Sequence, residues 1–95
     1  MSVFLVAHFA VKDATTLAEY SEGAGPLIAS FGGKLLFKGG VDRTLYGTDP
    51  LPSVAVFQFP DQEKLNGFYH SKEYQALVSL RISGAEMVLS AHAAA

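Results

Sequence analysis

Apolar and polar positions fall into two periods along this chain, one of about two residues and one of about three and a half. From Val3 to Val11 the residues split into two alternating sets. Val3, Leu5, Ala7 and Phe9 point one way; Phe4, Val6, His8 and Ala10 point the other. Both sets are mostly apolar, which predicts a strand covered on both faces. Helical spacing then takes over. Leu17, Tyr20, Ala24, Leu27, Ile28 and Phe31 form one apolar stripe. Asp13 or Thr16 is the expected N-cap, and Thr16 with Glu19 has capping-box spacing. Gly23, Gly25 and Pro26 interrupt the stripe, so a kink or a helix in two pieces is expected there. Gly32-Gly33 ends it, because glycine accepts the left-handed conformation past a helix end. A second strand runs from Lys34 to Lys38, closed by Gly39-Gly40, and Val41 to Tyr46 is read as a continuation after a bulge or turn. Residues 47–52, Gly-Thr-Asp-Pro-Leu-Pro, carry strong turn chemistry. Val54 to Phe59 is the third strand, apolar on both faces except for Gln58.

Pro60-Asp61 opens another helix, with Asp61 as N-cap, Glu63 near its positive end, and Leu65, Phe68 and Tyr69 on the buried side. Ser71 caps a further short helix, in which Tyr74, Leu77, Val78 and Arg81 share a face. Gly84 breaks it, and Glu86 to Ser90 is the last strand. The resulting order, strand, helix, strand, strand, helix, strand, is that of an α+β ferredoxin-like βαββαβ sandwich with an antiparallel sheet. Helices cover one sheet face and leave the other bare, although every strand is apolar on both sides. A bare apolar face invites association. The expected form is therefore a homodimer paired face to face, a dimeric α/β barrel, with an inter-sheet space able to hold a small organic ligand.

Composition narrows the function classes. The chain has 95 residues, one domain's worth, with 49% apolar and 17% charged residues and a net charge of −2. Seven scattered Lys and Arg residues make no basic stripe, so nucleic acid is not an expected partner. Cysteine is absent, which excludes a disulfide framework and a thiolate nucleophile. The N-terminal apolar run lacks a positive flank and makes a poor signal peptide. No apolar run reaches the roughly 18 residues of a membrane span. The expectation is a cytoplasmic protein without membrane contact, with residues 91–95 a frayed tail.

Candidate chemistry is sparse. His8 shares a strand face with Phe4 and Val6. With strands one and three taken as parallel neighbours, Gln58 is expected close to it. In an enclosed space such a histidine can act as general acid or base; the plainer reading is a hydrogen-bonded core or interface histidine. Arg81 can clamp an anion with its planar donor fork, or simply tie down a helix end, Glu73 or Glu86. Tyr20, Tyr69 and Tyr74 can present hydroxyls to a pocket, although tyrosines on an apolar stripe usually belong to the core. Ser71 sits in a capping position with no base specified beside it, which argues against a nucleophile. His8, His70 and His92 lack ligand spacing, and His8 and His92 are expected at opposite sheet ends, so no metal or other cofactor is expected.

Several of these pieces occur together in one family. Tyr20, Phe31-Gly-Gly33 with Gly39-Gly40, Phe59-Pro60, and Tyr69-His-Ser-Lys-Glu-Tyr74 followed by Leu77 and Arg81 resemble the family called domain of unknown function 1330, in the dimeric α/β-barrel group, over nearly the whole chain. Phe68 and Tyr46 depart from that family's usual residues. The resemblance implies a ferredoxin-like domain pairing sheet to sheet. Its wider group includes cofactor-free monooxygenases, isomerases and degradative enzymes. The expected function is binding, with transformation a further option, of a small organic molecule in the inter-sheet pocket. His8 is the expected acid or base, and Phe4, Tyr20, Gln58, Tyr74 and Arg81 the ligand-binding residues. The alternative is a non-catalytic dimeric ligand-sensing or protein-interaction module.

Overall fold

The computed structural model describes residues 2–48 and 51–94; Asp49 and Pro50 of the expected turn, and Ala95, lie outside them. The chain runs β1 (Val3–Val11), α1 (Ala14–Ser30), β2 (Lys34–Gly40), β3 (Ser53–Phe59), α2 (Gln62–His70), α3 (Lys72–Gln75), α4 (Val78–Gly84) and β4 (Ala85–Ala93). The strands form one sheet in the order β2-β3-β1-β4, and every neighbouring pair is antiparallel. This is the expected ferredoxin-like arrangement.

The pairing of β1 with β3 differs from the expectation. A strand-helix-strand return makes β2 run parallel to β1, and the β2–β3 connection then reverses the chain. β3 inserts between them and is therefore antiparallel to both. Gln58 consequently lies opposite Phe4, and His8 lies opposite Val54 on one side and Val88 on the other. Gln58 is four residues along the strand from the position beside His8.

Local signals placed the helix ends well. Asp13, not Thr16, is the α1 N-cap, and its carboxylate accepts from the Thr16 amide at 3.1 Å. At the other end Gly32, with φ +84°, donates to Ala29 O at 3.0 Å, and Gly33 donates to Ile28 O at 2.9 Å. That pair of bonds is a Schellman closure. Of the two outcomes expected at Pro26, the helix in two pieces does not occur, and α1 is continuous for 17 residues. Pro26 and Glu22, whose carbonyl loses its partner, both face solvent, so water can take that hydrogen bond. Gly25 relieves the clash that a Cβ before proline would cause in a helix.

The second helical region is three short pieces. The Ser71 hydroxyl joins the first two: it donates to Phe68 O at 2.7 Å and accepts from the Tyr74 amide at 3.1 Å. Gly84 marks a close approach. A Cβ there would lie 2.8 Å from the Leu17 nitrogen, and its carbonyl accepts from Lys12 and Asp13. Two expectations at the margins change. Residues 41–48 carry no strand, and β4 extends to Ala93, paired with Val3, so the tail is ordered well past Ser90.

The core lies between sheet and helices. Val3, Leu5, Ala7 and Phe9 of β1 are buried beneath α1 and α2, and Phe59, Phe68 and Tyr74 are the largest fully buried side chains. Phe68 packs against Tyr74 at 4.6 Å and against Phe59 at 5.7 Å between ring centroids. Among the described residues, no helix packs on the other sheet face.

Candidate functional site

Small side chains on facing layers leave room in this core. On the helix side of the sheet Ala7 lies directly opposite Ala55. Above them α1 presents Ala24 and Gly25. Such residues cannot fill the inter-layer space that larger neighbours hold open. The result is a cleft of about 240 Å³. Leu5, Ala7, Ala55 and Phe57 form its sheet wall, Leu17, Tyr20, Ala24 and Ile28 its helix wall, and Met87 and Leu89 its β4 side. Leu35 and Lys38 line it from β2 and are exposed, so the cleft meets solvent at that edge. Its lining includes the polar residues Tyr20, Ser21 and Lys38 and, among the described residues, no acidic residue and no histidine.

Tyr20 connects the cleft to a polar chain inside the helical layer. Its hydroxyl lies 2.7 Å from that of Tyr74, and Arg81 Nη1 donates to the Tyr74 oxygen at 2.9 Å. The guanidinium also sits 5.9 Å from the Tyr74 ring centroid. Tyr74 is fully buried, so its own hydroxyl hydrogen needs a protein acceptor. Tyr20 supplies one. The order of donation that leaves no fully buried hydrogen unpaired is Arg81 to Tyr74 to Tyr20, with the Tyr20 hydrogen at the end of the chain. Burial pushes the Tyr20 pKa well above that of an ordinary phenol, so it remains a hydroxyl. Burial opposes the charge on Arg81, but the neighbouring Tyr74 and Tyr69 hydroxyls outweigh it and the pKa is raised.

The open sheet face is a separate surface. Phe4, Val6 and His8 of β1, Val54, Val56 and Gln58 of β3, and Val88 and Ser90 of β4 share it by register. Phe37 and Val88 are 55% and 56% exposed. Gln58 Nε2 donates to Ser2 Oγ at 2.8 Å. The six residues expected at one site are thus divided by the sheet. Phe4, His8 and Gln58 lie on the open face. Tyr20, Tyr74 and Arg81 lie on the helix side, where Tyr20 lines the cleft and the other two stand behind it. Arg81 is engaged with Tyr74 and not with Glu73 or Glu86. His8 and His92 are four strand positions apart, and among the described residues no three metal-ligating side chains converge.

The family description Domain of unknown function (DUF1330) matches residues 2–93. The chain belongs to the DUF1330 family. No curated protein sequence matches this DUF1330 chain. Among solved structures it is similar to the RPA0582 protein of Rhodopseudomonas palustris, of unknown function, with 16% identity and a TM-score of 0.84 over 99% of this chain and 81% of that one. SnoaB of Streptomyces nogalater, a cofactor-independent oxygenase, is similar at 10% identity and a TM-score of 0.70, covering 99% and 93% of the two chains. A dimeric ferredoxin-like protein of unknown function from Jannaschia sp. CCS1 has 9% identity and a TM-score of 0.68, covering 99% and 100%. These likenesses carry the fold.

Sequence reasoning for this DUF1330 chain missed Lys38, Ser21 and the cleft itself. One signal was present: Ala7 stands between Leu5 and Phe9 on its strand face, and Ala55 precedes Phe57 and Phe59 on its own. Their meeting across the sheet depends on register, which the strand pattern alone did not give.

Proposed function

We propose that this DUF1330 protein binds a small, largely apolar organic molecule in the cleft between α1 and the sheet, and that it does so as a homodimer paired through the open sheet faces. The cleft carries the first part of this reading. An apolar cavity of about 150 Å³ holds a benzene ring, and by that ratio 240 Å³ admits roughly ten heavy atoms. The lining offers apolar contact over most of that surface. Tyr20 offers a hydroxyl hydrogen to an oxygen on the ligand, at the end of the chain that starts at Arg81. The ligand site in this reading is the helix-side cleft and not the inter-sheet space, since Phe4, His8 and Gln58 have no access to it through the sheet. His8 becomes an interface residue.

Binding without turnover is favoured over catalysis by the lining, which among the described residues presents no carboxylate, imidazole or thiol to serve as general base. The protein then acts as a ligand-sensing or carrier module. SnoaB is a cofactor-independent oxygenase on the same fold, but a shared fold leaves the chemistry to the site. The dimer is supported by the apolar open face and by structural relatives described as dimeric.

Titration with octanamide, followed by amide chemical shifts, tests the cleft. Shifts are expected at α1, β1 and β3 residues around Ala24, Ala7 and Ala55. Ala55→Phe, or Ala24→Leu if the first does not fold, fills the space and should abolish them. A folded, filled variant that still binds at the same residues, or a wild-type protein that shows no binding at millimolar ligand, overturns the reading.

A further inference from the structure

The edge strand β2 contains a register shift between Leu35 and Phe37. Leu35 pairs with Phe57, Leu36 is skipped, Phe37 pairs with Val56 and Lys38 with Ala55. In an unbroken strand residues 35 and 37 share a face, and 38 joins 34 and 36 on the other. The bulge reverses this. Phe37 turns to the open face, where its ring lies 3.0 Å from a Cβ built on Gly39. Lys38 turns to the helix side and lines the cleft beside Leu35. Bulges of this kind re-aim side chains next to functional sites.

Among the described residues, Lys38 is the charged residue of the cleft lining and no acidic residue lines it. It stands at the solvent-facing edge, so its methylene stem can lie along apolar surface while the ammonium remains hydrated. An inward-pointing lysine also guards an edge strand against pairing with another chain. That role needs no cavity, however, and here the charge is set at the mouth of an apolar one. On the reading of the cleft given above, we propose that its ligand is an amphipathic monocarboxylic acid, with the apolar body between α1 and the sheet and the carboxylate at Lys38. The bulge at Leu36 is the device that puts the cation there.

Octanoate and octanamide, both of the size the cleft admits, differ in charge and little in shape. Isothermal titration near neutral pH should show octanoate binding about three- to tenfold more tightly than octanamide, with the difference shrinking as salt is added. In Lys38→Met the two should bind equally. Lys34→Met, on the same strand but on the open face opposite Gln58, should keep the preference. If Lys38→Met does not fold, Lys38→Glu should invert the order, favouring octanamide. Equal binding of the two probes to the wild-type protein, or a preference that survives loss of Lys38, overturns the carboxylate assignment and leaves the cleft as a binding site. Failure of both probes to bind overturns the cleft reading as well.

Discussion

Tyr20 shows how much one side chain can gain from its neighbours. In the sequence it is one member of an apolar stripe. In the fold it lines the cleft and ends a chain of hydroxyls anchored by Arg81, with Tyr74 supplied from 54 residues away. That distance is why the chain was only half legible. Tyr74 and Arg81 are seven residues apart and share a helical face by spacing alone; the link to Tyr20 depends on how α1 meets α3. A pH prediction follows from the chain. A free phenol titrates near 10.0, and Tyr20 holds its proton more tightly once buried. The folded state therefore binds this proton more strongly than the unfolded chain. Its contribution is complete below about pH 10 and is lost as pH rises above that. Urea unfolding measured from about pH 9 to 11.5 should show wild-type stability falling more steeply than that of Tyr20→Phe, by up to about 1.4 kcal/mol per pH unit. Parallel curves would mean that Tyr20 ionises as easily folded as unfolded.

Secondary-structure ends were the most readable elements, because caps act over three or four residues. Asp61 accepts from the Lys64 amide at 2.8 Å, and Ser71 serves two helices with one hydroxyl, as its capping position implied. Ser71→Ala should cost about 1–2 kcal/mol in denaturant unfolding, because it removes both the α3 cap and the bond to Phe68 O. Ser71→Asp, which can still accept from the Tyr74 amide, should recover part of this. A cost near zero would show that α3 holds its place through Tyr74 packing alone. The elements less readable from sequence were those decided by something outside them. Pro26 does not split α1 in two because both it and the orphaned Glu22 carbonyl face water. Residues 91–93 are strand because Val3 to Leu5 pair with them. The β2 bulge has no local marker, since Leu35, Leu36 and Phe37 are all apolar.

At the scale of the whole molecule, the two sheet faces have different tasks. One closes on the helices and keeps a cleft. The other presents Phe4, Val6, Val54, Val56 and Val88 to solvent, with Val6 directly opposite Val56 at the sheet centre. An apolar sheet face of this kind favours association, which is the basis of the proposed dimer. Light scattering at micromolar concentration is expected to give twice the 10.1 kDa chain mass. Val56→Lys should give a folded monomer, because it sets a cation in the middle of the paired face. A wild-type monomer, or a dimer untouched by Val56→Lys, would remove the sheet-paired assembly and leave the helix-side cleft unaffected.

The sequence by itself determined the order of elements, the caps that bound them, the two-faced apolar character of the strands and the membership of the helical stripes. All of these are set by contacts a few residues apart or by a simple period. Only the tertiary structure decided which residues share a site. It made β1 and β3 antiparallel, which moved Gln58 away from His8. It set Ala7 against Ala55 beneath Ala24, which opened the cleft, and it turned Lys38 toward it through a bulge. The physical reason is common to all three. Register and layer packing are settled by long-range pairing, in which a shift of one residue exchanges the two faces of a strand.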